Sequence, residues 1–424
     1  MSLGSARLFR QASALIALAV LFASASFAQQ VAPRQRIVQS IDNARLTRLP
    51  GNTHPLARAE FDRGRAPDSM AADRMLLLLS RAPEQQAALS QFLDEQQTQG
   101  SANYRHWLTP EEFGQKFGAA DADIQTITAW LQTQGFRVNR VAASRNVIEF
   151  SGSAGQVRNA FHTELHKYVV SGNQYWANAN DPQIPSALAS VVKGVVSLNN
   201  FPHRPQHHRF GVFSRDAEGV TRPQVTVKDS SGNTYYGVGP ADFSTIYNTA
   251  PLLSAGTNGT GQTIALIADT NINLQDVTDF RNLFSLGAGS TSVIIDGIDP
   301  GVVTGDAETE ALLDVQWASA AAPGANVQLV TAQDTWTTAG IFLAANYAIE
   351  QNQASVLSFS FGTCEANLGT SGNGFMQALW QQAAAQGITV VVAAGDEGSA
   401  GCDYHGTSDI AANGLAVNGF ASTP

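Results

Sequence analysis

The chain has 424 residues, 44% hydrophobic and 14% charged, the composition of a globular protein long enough for two or three domains and unlike that of a disordered tail. Its net charge of −10 is unevenly placed: residues 1–234 carry 24 of the 25 basic residues, whereas 235–424 carry 17 acidic residues and one base, Arg281, a net −16. So acidic a segment argues against nucleic acid as a partner and suits an acidic milieu, although plain solubility would be served equally well.

Residues 1–28 begin with Arg7 and Arg10, continue through an apolar run at 14–22 and reach a small-residue site at Ser26-Phe27-Ala28, the pattern of a secretory signal peptide. No later apolar run approaches the roughly 20 residues needed to span a bilayer, so a secreted, extracellular or periplasmic chain without a membrane partner is expected. Residues 29–200 read as a small α+β domain. RMLLLLS (74–80) is a buried strand; Pro83 opens a helix with Leu89, Phe92 and Leu93 on one face. Thr109-Pro110-Glu111-Glu112 has capping-box spacing, and Ile124, Ile127 and Leu131 line the next helix until Gly135 ends it. Strands at 137–141 and 147–150, a helix with Val157 and Phe161, and a strand at 166–170 complete a β-α-β-β-α-β order, that of a ferredoxin-like fold with an extra helix.

Residues 201–233 lose the hydrophobic period. FPHRPQHHRFGVFSRD and KDSSGN read as an irregular linker, open to proteolysis. From 234 to 424 strands alternate with helices. QTIALIAD, SVIIDG, NVQLVTA, ASVLSFS and GITVVVAAG are the strands, and 308–320, 338–350 and 375–386 the clearest helices, the pattern of a doubly wound parallel sheet. Functional groups then belong at the C-terminal ends of strands, where Asp396 stands. The two cysteines, Cys364 and Cys402, read as one disulfide in an exported protein.

Glu310 and Asp314 lie four apart on one helix face and can share a hydrogen bond if one is protonated. Asp306 and Glu308 nearby allow a simpler reading, a solvated acidic face, but Leu313 and Trp317 mark a face near the core. The segment after residue 208 contains one histidine, His405, so an imidazole base is nearly excluded there.

Here the sequence resembles the sedolisins, or serine-carboxyl peptidases of the kumamolisin type, which have a subtilisin-like catalytic domain behind an activation propeptide. Glu310-Ala311-Leu312-Leu313-Asp314 resembles their E-x-x-x-D helix, Ser360-Phe361-Gly362 their S-x-G, and Ala393-Ala394-Gly395-Asp396-Glu397-Gly398 their A-x-G-D-x-G. YRHWLTPEEFGQKFG (104–118) and IPSALASVV (184–192) resemble the propeptide, which would be the chain's own inhibitory partner.

The resemblance implies Glu310 as general base toward a serine, Asp314 as its orienting partner, and a protonated Asp396 completing the oxyanion hole. Ser360, Phe361 and Gly362 would bind extended peptide substrates. The chemistry is sound in acid: near pH 4 a histidine of pKa about 6.5 is protonated and useless as a base, whereas a glutamate near 4.3 is partly ionised. A monomeric acid endopeptidase made as a zymogen is the leading expectation. A non-catalytic, secreted peptide-binding pseudoenzyme is the alternative.

Two departures bear on that choice. The family's nucleophile, in G-T-S-A-x-x-P, and the calcium site of the complete enzymes both belong beyond Pro424, so a C-terminally truncated, inactive chain is expected. Gly406-Thr407-Ser408 imitates the nucleophile motif without its Ala-x-x-Pro and reads as loop. Asp269 ends QTIALIAD as a subtilisin aspartate would, but no H-G-T follows. AGTNGTGQT lacks the ending of a phosphate loop, and His203, His207 and His208 read as a solvated or pH-sensing cluster, with no metal assigned.

Overall fold

The computed structural model describes residues 33–205, 225–228, 231–287, 289–403 and 410–422. The signal-peptide segment 1–28, most of the linker including His207 and His208, His405, and Gly406-Thr407-Ser408 lie outside them. Among the described residues no helix is long and apolar enough to cross a membrane.

The N-terminal region runs β1 (Leu46–Arg48), β2 (Asp62–Arg65), β3 (Ala71–Leu79), α1 (Pro83–Gln97), α2 (Pro110–Phe117), α3 (Asp121–Thr133), β4 (Arg137–Val141), β5 (Val147–Ser153), α4 (Ala154–Phe161), β6 (Leu165–Val170), β7 (Asn173–Asn178), β8 (Gln183–Pro185) and β9 (Val192–Val196). Four strands form an antiparallel sheet in the order β4-β5-β3-β9, which is the expected β-α-β-β-α-β topology with one correction. The fourth strand is β9, not the segment at 166–170. That segment, β6, forms a hairpin with β7 instead, turning through Ser171 (φ 50°) and Gly172 (φ 84°), the left-handed pair that a tight two-residue hairpin needs. The third strand of that sheet is β2, on the other side of β6. The capping box at Thr109 is present: Glu112 N donates to Thr109 Oγ1 at 3.2 Å and Thr109 N to Glu112 Oε2 at 2.8 Å.

The C-terminal region runs β10 (Arg204–Pro205), β11 (Val225–Lys228), β12 (Thr234–Gly237), α5 (Pro240–Ile246), α6 (Ala250–Ser254), β13 (Thr263–Ala268), α7 (Leu274–Leu283), β14 (Ser290–Ile295), α8 (Asp306–Ala321), β15 (Asn326–Thr331), α9 (Gly340–Gln351), β16 (Val356–Phe359), β17 (Phe361–Gly362), α10 (Glu365–Ala385) and β18 (Thr389–Val392). A five-stranded parallel sheet, β14-β15-β13-β16-β18, is its frame. Alternation along β13 covers both faces: Leu266 and Ala268 pack with Ala311 and Val315 of α8, while Ala265 and Ile267 pack with α9. The doubly wound sheet is therefore as expected. The linker is less irregular than its composition suggests, because β10 pairs with β17 and β11 with β12.

The same period-2 logic joins the two regions. Met75, Leu77 and Leu79 of β3 pack on Ile127, Trp130 and Phe161 of their own region, and Leu76 and Leu78 pack in the core that holds Ile341, Phe375 and Met376. RMLLLLS is continuously apolar because it is buried on both faces. α10 carries the junction and bends at Gly369 (φ 64°), where Thr370 N donates to Gly51 O at 2.7 Å. A side chain at Gly369 would come within 2.7 Å of that same oxygen.

Candidate functional site

The site residues gather on α8 and where the chain leaves β16 and β18. α8 begins after Gly305 (φ 111°), with Asp306 and Glu308 in its first turn, where carboxylates complement the helix dipole. Packing of Ala311 and Val315 on the sheet turns the Glu310–Asp314 face toward the strand ends. Glu310 is 3% exposed. Asp314 is half-buried, and Ser360 Oγ donates to its Oδ1 at 3.0 Å. The Ser360 side chain is hydrogen-bonded to Glu310 as well, so one hydroxyl touches both carboxyl groups.

Burial above all, and then the charge of Asp396, raise the Glu310 pKa to about 7, a shift partly offset by the Ser360 hydrogen bond. Asp396 is exposed, at the head of the loop after β18. Glu310, Asp314, Ser360 and Asp396 thus come together from three elements. Asp269 is a separate matter. Burial first and Asp334 second push it to about 7, and its Oδ1 is sealed without a hydrogen-bond partner.

The S-x-G segment contributes main chain rather than ring. Phe361 is 1% exposed, packed edge-on against Phe359 with centroids 5.8 Å apart. Its backbone and that of Gly362 form β17, which pairs antiparallel with β10: Arg204 lies opposite Gly362 and Pro205 opposite Phe361. The segment that follows the N-terminal region therefore lies along this strand as an extended peptide would, and it also runs against α8. Sequence reasoning missed this pairing. The residues involved are more than 150 positions apart and carry no shared pattern.

Cys364 and Cys402 form the expected disulfide, with Cα atoms 4.9 Å apart, and tie the start of α10 to the loop beyond Asp396. Among the described residues no group of three or more His, Cys, Asp or Glu could hold a metal ion, so they offer no fit for the calcium that the resemblance implies. His203 packs between rings, 5.0 Å from Phe342 and 5.5 Å from Phe420, and is not placed as a ligand.

Residues 61–201 match the family described as the pro-kumamolisin activation domain. The chain is 30% identical to sedolisin from Pseudomonas sp. (strain 101), over 84% of this chain and 59% of that protein. It is 31% identical to xanthomonalisin from Xanthomonas sp. (strain T-22), over 82% and 43%, and 28% identical to kumamolisin from Bacillus sp. (strain MN-32), over 72% and 54%. The chain spans about half the length of these relatives. A solved structure of Pseudomonas sedolisin, a serine-carboxyl proteinase complexed with two molecules of pseudo-iodotyrostatin, is 28% identical and superposes with a TM-score of 0.35, over 44% of this chain and 52% of that one.

Proposed function

The chain belongs to the sedolisin family, with an N-terminal activation propeptide, and from that premise we propose that it is the precursor of a secreted, acid-acting serine-type endopeptidase. Residues 1–28 are its export signal, 29–200 its propeptide, 201–233 the linker cut on maturation, and the remainder the N-terminal part of the catalytic domain, acting as a monomer. The observation that carries the reading is the convergence of Glu310, Asp314 and Asp396 at the strand ends, with an extended segment already seated on β17.

In this scheme Glu310 accepts the proton of a serine nucleophile that the described residues do not supply. Asp314 orients it, and Asp396, when protonated, donates to the oxyanion. Ser360, Phe361 and Gly362 hold the substrate backbone. No step runs through a metal. The precursor is held off in two ways. The β10 segment covers the peptide-binding strand, and a Glu310 with a pKa near 7 is protonated throughout the acid range and cannot act as a base. Removing the segment lets water reach Glu310 and returns its pKa toward the ordinary carboxylate range, where it is partly ionised in acid.

The test is Glu310→Gln in the complete protein, assayed on a denatured protein substrate near pH 4. Activity should fall by about 10⁴-fold or more while the thermal melt at pH 7 holds or rises, since glutamine mimics the favoured protonated state. Undiminished hydrolysis would refute the assignment. The alternative, a secreted peptide-binding protein without catalysis, draws support from β10 itself, an extended segment bound without chemistry. Absence of hydrolysis by the wild-type complete protein, with retained binding of extended peptides, would favour it.

A further inference from the structure

Asn418 is a polar side chain only 5% exposed, which no motif singles out and the scheme above does not use. Its amide meets four backbone groups. Nδ2 donates to Phe361 O at 2.9 Å and to Ala393 O at 2.7 Å, while Oδ1 accepts from Thr363 N at 3.3 Å and from Phe420 N at 3.1 Å. Two of those groups belong to the S-x-G strand and the residue after it, and a third, Ala393, belongs to the segment that leads to Asp396.

The location gives the bonds their meaning. The parallel ladder between β16 and β18 ends at the Phe359–Val392 pair, and Ala393 N makes a last bond to Phe359 O at 3.1 Å. Beyond it the two chains diverge around the cleft that Gly362, Thr363, Ala394 and Gly395 line together with Asn418. One side chain spans the gap where the sheet stops. The backbone near it reinforces the link, with Gly419 N donating to Thr363 O at 2.8 Å.

The geometry points to Asn418 as a positioning residue that sets the spacing between the peptide-binding strand and the Asp396 loop, and so the place where a bound carbonyl meets Asp396. This rests on the peptidase reading of the site. The requirement is chemically narrow. Two carbonyl oxygens need donors and two N–H groups need an acceptor, and of the side chains similar in size only a carboxamide offers two donors beside an acceptor. An ionised aspartate would set negative charge against two carbonyl oxygens. A protonated aspartate would restore one donor and one acceptor, so the isosteric variant carries its own pH switch.

The experiment follows amide hydrogen exchange in the full chain for residues 361–364 and 393–398, each variant against wild type at the same pH, with 263–268 and 326–331 as controls. Asn418→Ala should exchange at least about tenfold faster in both segments at pH 4 and pH 7, with the controls unchanged. Asn418→Asp should lie between wild type and Asn418→Ala at pH 4 and resemble Asn418→Ala at pH 7. Unchanged protection in the two segments overturns the proposal, and so does an equal loss throughout the sheet, which would make Asn418 a general fold stabiliser. In the complete protein, Asn418→Asp should lose kcat with rising pH earlier than wild type, with KM within about threefold. A wild-type kcat profile in an active protein also overturns the role, whereas an inactive wild type refutes the peptidase reading and leaves the exchange result to decide the spacing.

Discussion

The two halves of the molecule hold their buried acids in opposite states. In the N-terminal region burial works to raise Glu149 and Asp181, yet both lie below the ordinary carboxylate range. Arg74 and Arg140 outweigh burial at Glu149, and Asn52 N, Thr53, Gly51 N and Arg48 do so at Asp181. In the C-terminal region burial is again the largest influence on Glu310, Asp269 and Asp334, but no base answers it, and all three lie above that range. The skewed supply of bases, 24 before residue 235 and one after, thus fixes how each half meets acid. A carboxyl with a depressed folded pKa stabilises at neutral pH and loses that contribution as pH falls below about 4.5. One with a raised pKa destabilises when ionised, and the cost disappears as pH falls from about 7 to 4.5. Acidification loosens the first half while relaxing the second.

The most direct way to break this contrast is to remove the base that crosses it. Arg74 (φ 52°) sits at a bulge in β3 and reaches both ways: Nε donates to Glu149 Oε1 at 2.9 Å, and Nη2 to Asp296 Oδ2 at 2.7 Å in the acidic half. Arg74→Ala leaves two buried acids without their shared cation and should cost about 3–5 kcal/mol at pH 7. The loss should shrink at about pH 3, because acid that protonates Glu149, whose carboxyl Arg74 helps hold below the ordinary range, dissolves the pair in the wild type as well. Denaturant titrations at the two pH values check this. An equal loss at both would show that Arg74 acts through packing alone.

A somewhat smaller effect sharpens the contrast from the other side. The Cys364–Cys402 disulfide closes 38 residues wholly inside the acidic half, and opening such a loop costs about 3–4 kcal/mol by chain entropy. Replacing both cysteines by serine should lower the stability of the C-terminal region by that amount, equally at pH 4 and pH 7, because no titrating group is involved. A loss that changes with pH would tie the disulfide to the carboxyl cluster.

What the sequence made legible in this molecule is what local period and local capping decide. The two-sided burial of β3, the Thr109–Glu112 cap, α8 with its carboxyl pair on one face, and the alternation of β13 can each be read within a dozen residues. What it hid depends on partners far along the chain. Val192–Val196 joins β3 only because a tight turn at Ser171-Gly172 commits β6 to a hairpin. Arg74 reads as the first residue of an apolar strand, and its reach to Asp296 spans 222 positions. Arg204 and Pro205 look like linker until β17 offers them an edge, and Asn418 lies between Val417 and Gly419 in a segment that carries no recognised motif.

The smallest of these effects concerns the junction between the halves, where the acid response belongs to histidine. His203 packs against Phe342 and Phe420 with its Nδ1 sealed and unpartnered, and burial lowers its pKa to about 4. His54, stacked on Phe201 at 4.1 Å with Nδ1 accepting from Leu56 N, is lowered to about 3, chiefly by burial and secondarily by His203. An unfolded histidine binds its proton near pH 6.5, so between there and pH 4 the unfolded chain holds more protons than the folded one. The stabilisation is complete above 6.5 and is lost as pH falls, before the carboxylates of the N-terminal half begin to discharge. His203 immediately precedes β10, so this loss acts on the segment that pairs with β17. His203→Phe keeps the aromatic packing and removes the titration. The stability difference between pH 7 and pH 4 should therefore narrow by about 2–3 kcal/mol, read by urea denaturation at each pH. An unchanged difference would transfer the acid response to the ion pairs around Arg74, where the Arg74→Ala titrations would then have to account for all of it.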